Sequence, residues 1–286
     1  MGISVIIPVL NEELSIRTTL IEVHKVLATS SLDDFEILVI NDGSSDKTAQ
    51  EIRASGISCE VITHRVNRGY GASLKTGLRY ARYDNIVITD ADGTYPHEKI
   101  MEMYVYYKEH KLDMLVGSRT GKQVSYPFLK RIPKFFLTKL ANYISNTRIS
   151  DLNSGLRIFN KDIALQFFNL YPNGFSFTTT ITVAMLCKGY EVDFSPINYF
   201  PRQGRSKISP IKDTLGFFQL LSATAVFFNP LKVFLPFVVV LALISSAFII
   251  RDIFFLRDLT QSAVLFPILT ILIFFMGLMA DMISKK

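Results

Sequence analysis

The chain has 286 residues, 49% of them apolar and 20% charged, enough for one large domain with an appendage. Its formal net charge of +6, taken with two uncharged runs of spanning length, points to an anionic membrane surface and away from nucleic acid. Cys59 and Cys187 are isolated and the histidines (His24, His64, His97, His110) are scattered, which excludes a disulfide framework and a zinc site; any metal must be held by oxygen.

Ser4–Val9 is a β-branched run that stops at Asn11-Glu12-Glu13, and Leu14–Ala28 carries apolar residues at helical spacing. The pattern recurs. Glu36–Ile40 breaks at Asn41-Asp42-Gly43-Ser44-Ser45-Asp46 before a helix over Lys47–Ser55, and Glu60–Thr63 breaks at Asn67-Arg68-Gly69 before a helix over Gly71–Arg82. Asn85–Thr89 is a fourth strand and Asp113–Ser118 a fifth. Strands alternating with helices predict an α/β fold with a mostly parallel sheet and helices on both faces.

Farther on, Lys130–Ile144 reads as an amphipathic helix and Arg148–Lys161 as loop and strand. Residues 209–229 are apolar with few charges and predict an interfacial helix. Val233–Ile250 and Leu259–Ala280 contain no Asp, Glu, Lys or Arg, and each is long enough to span a bilayer. The expected organisation is a domain over 1–208, a juxtamembrane helix over 209–229 and a two-helix hairpin over 230–286. The N-terminus lacks a basic region and a cleavage site, and Lys232 and Lys285-Lys286 flank one side of the hairpin, so both ends are expected to be cytoplasmic.

Ligands of open α/β sheets bind outside the carboxyl ends of the strands, where Asn11, Glu12, Asp42, Arg68, Asp90 and Asp92 collect. Asp90-Ala91-Asp92-Gly93 has two readings, a capped turn or a cation site, because Asp and Gly also favour turns. Two neighbouring carboxylates repel, and Mg²⁺ or Mn²⁺ relieves this, completing its shell with water and substrate phosphates. Asp42 sits directly after an apolar strand, where its carboxylate can accept from a nucleobase N–H. Gly69-Tyr70-Gly71 lacks the third glycine of a dinucleotide fingerprint, and is better suited to letting Arg68 and the helix start approach a ligand.

Pro8-Val9-Leu10-Asn11-Glu12-Glu13, Asn41–Asp46, Asn67-Arg68-Gly69, Asp90-Ala91-Asp92 and Val116-Gly117-Ser118-Arg119 resemble, in order and spacing, the inverting glycosyltransferases of family 2 with a GT-A fold. Ser150–Arg157, Phe175–Thr178 and Arg202–Lys207, with the C-terminal hairpin, are similar to the polyprenyl-phosphate subgroup, which includes dolichyl-phosphate mannose synthase. The resemblance implies that Pro8, Leu10, Glu12 and Asp42 surround the base and ribose of a nucleotide sugar, with Arg68, Asp90 and Ala91 in the same donor-binding set. It implies Asp92 as a direct metal ligand, with Asp90 on ribose or a metal-bound water. Arg119, Arg131, Arg202 and Lys207 would face phosphates, the last three that of the lipid; Asp92, Arg119, Arg202 and Lys207 form the implied catalytic set.

Two departures matter. Many relatives place Gln two residues after the second Asp as a further metal contact, whereas this chain has Thr94, and position 41 is Asn where relatives often have Asp. Some relatives carry Glu after the Phe-x-Phe stretch, whereas here Thr178-Thr179-Thr180 follows and no base is visible. A phosphate acceptor needs none, since it is already ionised and nucleophilic at neutral pH.

The expected function is therefore metal-dependent, inverting transfer of a sugar from a UDP- or GDP-sugar to a polyprenyl phosphate such as undecaprenyl or dolichyl phosphate. Transfer to another lipid, or silent binding of a nucleotide sugar, are the alternatives. Donor choice is expected to depend on the surroundings of Gly93, Thr94 and Ser154, and self-association through the spanning helices remains open.

Overall fold

The computed structural model describes residues 2–30, 32, 34–121, 131–174, 176–201 and 223–284, with the side chains of 131–137 outside the description. The chain divides into two compact units, Met1–Leu220 and Leu221–Lys286.

The first unit is built on a seven-stranded sheet of order β3-β2-β1-β4-β6-β5-β7. Its strands are β1 (Gly2–Val9), β2 (Asp34–Asn41), β3 (Glu60–Thr63), β4 (Asn85–Ile88), β5 (Met114–Ser118), β6 (Arg157–Asn160) and β7 (Val192–Pro196). The β1–β2, β1–β4, β2–β3 and β5–β7 pairs are parallel, while β6 runs antiparallel to both β4 and β5. The expected mostly parallel sheet is present, with one reversed strand, β6, between β4 and β5.

Helices α1 (Ile16–Ala28), α2 (Thr48–Ala54), α3 (Tyr70–Tyr80), α4 (Lys99–Glu109), α5 (Arg131–Ser145), α6 (Lys161–Gln166) and α7 (Phe177–Cys187) fill the connections. Helix α1 buries Ile16, Leu20, Val23 and Leu27, one stripe at helical spacing, against Ile3, Val5, Ile7 and Ile37 in the core. Each such side chain contributes about 1.5–3 kcal/mol by leaving water. Helix α3 packs so closely on β1 that a Cβ at Gly77 would lie 2.4 Å from Ile6 Cγ2.

The sequence pattern predicts neither α7 nor β7. Helix α7 reads FTTTITVAMLC, a β-branched run whose local preference is extended. Burial of Phe177, Ile181, Val183, Ala184 and Met185 overrides that preference. Two of its hydroxyls bond locally, Thr180 donating to Ser176 O at 3.0 Å and Thr182 to Thr178 O at 2.8 Å. Strand β7 is a short, half-exposed edge ending in proline, with little periodicity to reveal it.

The second unit contains helices Pro230–Arg251 and Gln261–Ser284, each long and apolar enough to cross a membrane, which agrees with the expected spans. They pack together: Ser245 and Thr270 share a hydroxyl contact of 3.3 Å, and a Cβ at Gly277 would meet Phe234 Cβ at 2.9 Å. Their connection is clasped by Asp252, which accepts from Arg251 Nη2 at 2.7 Å, Thr260 N at 2.7 Å and Thr260 Oγ1 at 2.6 Å. Of the expected juxtamembrane helix, residues 209–222 lie outside the described residues and 223–228 are helical.

Candidate active site

In the register of the sheet Val9 lies opposite Asn41, so the loops after β1 and β2 leave one edge together. Side chains staple them. Asn11, in the left-handed region at φ 48°, accepts from Ser45 N at 2.8 Å, and Glu12 N donates to Thr48 Oγ1 at 2.8 Å. Pro8 is buried at the end of β1, and Leu10 and Glu12 are half-buried in the loop that follows.

Asp42 is 3% exposed and accepts three hydrogen bonds. His64 Nδ1 donates to Oδ1 at 2.7 Å, Arg68 N to Oδ1 at 2.9 Å and Gly69 N to Oδ2 at 2.8 Å. The carboxylate thereby fixes the Asn67–Gly69 turn against the end of β2. Gly69 needs its freedom here: its φ is +101°, and a Cβ would fall 2.4 Å from Asn173 O. The helix start expected to face a ligand is occupied at two positions, with Gly71 N donating to Gly174 O and Ala72 N to Asn173 O.

Beyond β4, Asp90 accepts from Tyr70 Oη at 2.9 Å. Gly155 lies close behind it, and a Cβ there would come within 2.6 Å of Asp90 Oδ2. Burial, and next the Asp90 charge, push the Tyr70 hydroxyl well above its ordinary pKa, so it remains a donor. Asp92 is 7% exposed and its Oδ1 accepts from Thr94 Oγ1 at 2.6 Å and Thr94 N at 3.2 Å. Between them, Ala91 is buried and its carbonyl accepts from Thr19 Oγ1 at 3.2 Å, which ties the loop to α1.

Two hard carboxylates one residue apart are the donor chemistry that Mg²⁺ or Mn²⁺ takes. Among the described residues no group of three His, Cys, Asp or Glu side chains could hold a metal. A cation here would thus draw its other ligands from water and a diphosphate, and the cradle opened by Gly155 fits that arrangement.

Arg119 makes a bidentate pair with Asp151, Nε to Oδ2 at 2.7 Å and Nη2 to Oδ1 at 2.9 Å, with side chains 8% and 0% exposed. Its guanidinium also lies over the Tyr199 ring, 5.1 Å from the centroid. Arg157 is wholly buried in β6 and donates to Ser154 O, Thr178 O and Thr182 Oγ1. Burial brings its pKa down to about 10, which still leaves it a cation at neutral pH. Of the threonines after Phe177, Thr179 donates to Asn153 Oδ1 at 2.5 Å, and no carboxylate stands at these positions, where some relatives carry Glu.

Arg131 opens α5, its side chain outside the description, and Arg202 and Lys207 lie outside the described residues.

Residues 4–168 match the model of the glycosyl transferase family 2 domain, more than half of the chain. The chain belongs to glycosyltransferase family 2. Residues 229–285 match the GtrB C-terminal hairpin and contain the two helices long and apolar enough to cross a membrane. The low-salt glycan biosynthesis hexosyltransferase Agl6 of Haloferax volcanii is 27% identical over 85% of this chain, which spans 59% of that relative. The dolichyl-phosphate hexose transferase of the same organism is 25% identical over 73% of this chain and 87% of its own length. A prophage bactoprenol glucosyl transferase homolog of Escherichia coli is 30% identical over 57% of this chain and 53% of its own. The sheet is the GT-A fold: glucosyl-3-phosphoglycerate synthase of Mycobacterium tuberculosis, solved with Mn²⁺, UDP-glucose and phosphoglyceric acid, superposes with a TM-score of 0.60 at 17% identity over 78% of this chain and 79% of that one.

Within this family 2 domain, sequence patterns pick out Asp42, Asp90, Asp92 and Arg119 but not the side chains packed around them: His64, Tyr70, Tyr95, Asp151 and the buried Arg157. Tyr95 accepts from Gly155 N at 2.6 Å. Asp151, Gly155 and Arg157 lie inside the Ser150–Arg157 motif, which gives them no task, whereas a lone His64 after an edge strand carries no signal at all.

Proposed function

We propose that the protein is a membrane-anchored inverting glycosyltransferase that moves a sugar from a nucleotide-sugar donor to a polyprenyl phosphate on the cytoplasmic side of the membrane. The observation that carries this is the union in one chain of the Asp42, Asp90 and Asp92 edge with a GtrB-type hairpin. Relatives named as dolichyl-phosphate and bactoprenol sugar transferases support the acceptor class.

An oxygen of the lipid phosphate attacks C1 of the sugar, the bond from C1 to the diphosphate breaks, and the diphosphate leaves with the electron pair. One such displacement inverts the anomeric centre. Asp42 takes a ring N–H of the base, with Pro8, Leu10, Glu12, Arg68 and Ala91 around base and ribose. Asp92, with Asp90 beside it, would hold Mg²⁺ or Mn²⁺, which would supply neutralisation of the departing charge. Thr94 acts behind Asp92, orienting that carboxylate by its hydroxyl. Arg119, held rigid by Asp151, offers a preset cation beside the diphosphate, and Arg131, Arg202 and Lys207 receive the lipid phosphate. The threonines at 178–180 replace a base that a phosphate acceptor does not require.

The test is to supply membranes containing the protein with Mg²⁺ or Mn²⁺, polyprenyl phosphate and a panel of radiolabelled UDP- and GDP-sugars. Label should enter the organic-extractable lipid from one donor and vanish in Asp92→Ala. No label from any donor, with nucleotide binding undiminished in Asp92→Ala, would leave a silent binding protein.

A further inference from the structure

His64 joins three elements of the donor edge. It follows β3, its backbone N–H donates to Asn41 O at 2.9 Å, and its side chain is 5% exposed. Nδ1 lies 2.7 Å from Asp42 Oδ1, and Nε2 lies 3.0 Å from Thr76 Oγ1 on the second turn of α3. Since a carboxylate accepts, Nδ1 carries a proton, and in the neutral ring the Thr76 hydroxyl donates to Nε2. The result is a directed chain from Thr76 through His64 to Asp42, closed by Arg68 N and Gly69 N on the same carboxylate.

We infer that His64 is a positioning residue for recognition of the donor's nucleobase, and that Thr76 holds its ring in place. The role depends on the base-binding role proposed above for Asp42. A carboxylate has about four acceptor positions, and the described residues fill two on Oδ1 and one on Oδ2. The fourth, on Oδ2, suits the ring N–H of uracil or guanine and repels the ring nitrogen lone pair that cytosine and adenine present there. Arg68 N and Gly69 N belong to one turn, so without His64 the carboxylate is tied only to that turn and can rotate with it. His64 is the tether to the sheet that keeps the fourth position aimed.

The test compares binding of UDP, CDP, GDP and ADP to the full-length protein in detergent at fixed Mg²⁺, because the common diphosphate and metal contributions cancel in the ratios. The parent should prefer UDP or GDP over CDP and ADP by about tenfold or more, the scale of one hydrogen bond to a charged group. His64→Ala should bring all four within about threefold, while His64→Asn, whose amide reaches toward the place of Nδ1, keeps most of the preference. Should His64→Ala fail to fold, Thr76→Val carries the test: its preference falls by about threefold and Thr76→Ser restores it. If Asp42→Asn abolishes the preference but the His64 and Thr76 variants keep it, His64 only packs and the inference is overturned. If Asp42→Asn also keeps it, the base-binding role of Asp42 falls, and that of His64 with it.

Discussion

The hydroxyl of Thr94 donates to Asp92 Oδ1 at 2.6 Å, and its backbone N–H approaches the same oxygen at 3.2 Å. Thr94 is wholly buried and its own carbonyl accepts from Phe200 N at 2.9 Å, so the residue that holds Asp92 is itself held by the chain entering position 200. At the position where many relatives carry Gln, the hydroxyl of Thr94 aims the neighbouring carboxylate.

Removing that hydroxyl should weaken metal binding without moving the fold. Thr94→Val is expected to lose about 10–100-fold in Mn²⁺ affinity, as other supports of metal ligands do, and Thr94→Ser should retain it. Mn²⁺ titration followed by electron paramagnetic resonance reads this directly. Equal affinities in parent and Thr94→Val would remove Thr94 from the metal site.

Asp90 is confined from two sides, by the Tyr70 hydroxyl and by the missing Cβ of Gly155. Gly155→Ala must push the carboxylate, and misplacement on the ångström scale is expected to cost about 100-fold in kcat/KM. Tyr70→Phe removes one donor and leaves the space unchanged, so a loss nearer tenfold is expected, with a melting temperature close to the parent's. Steady-state kinetics at saturating metal, beside thermal melts, separates these effects from unfolding.

The strands β1 to β5 and the acids at their ends were legible in the sequence because both signals are local: an apolar β-branched run, then a polar break. Strand β6 reverses the sheet by a long-range choice that its own four residues do not encode, and α7 is helical against its threonines' preference because the core needs that face. The supporting side chains were harder still. His64 reaches Asp42 across 22 residues and Tyr95 reaches Gly155 across 60, distances at which spacing carries no information.

The Arg119–Asp151 pair is buried on both sides, so breaking it strands a charge. Asp151→Ala is expected to destabilise the domain by about 3–5 kcal/mol, and Arg119→Met with Asp151→Ala by less than the sum of the single changes. Arg119→Lys keeps the charge but loses the two-pronged geometry, and should lower donor turnover more than stability. Denaturant unfolding of the four variants, each paired with an activity measurement, checks both statements.

Glu36 supplies an acid-sensitive joint between β2 and the turn before β4. Burial raises its pKa, but donation from Ser4 Oγ, from Arg82 N and from Arg82 Nε outweighs this, and the net shift is downward. A carboxyl lowered in the folded state contributes stability that is present above the ordinary glutamate range and lost as pH falls through the folded pKa. The melting temperature of the parent should therefore drop on acidification from about pH 5 to pH 3, and Glu36→Gln, less stable at neutral pH, should show a shallower drop. Parallel curves would place the acid-labile group elsewhere.

In the proposed reaction a phosphate, needing no base, receives the sugar. Purified protein, its preferred donor and Mg²⁺ should be offered polyprenyl phosphate, polyprenol and diacylglycerol in separate reactions, with the linkage of each product assigned by NMR. Label on polyprenyl phosphate alone, with the anomeric configuration inverted relative to the donor, is the predicted result; comparable transfer to either alcohol, or a retained configuration, would contradict it.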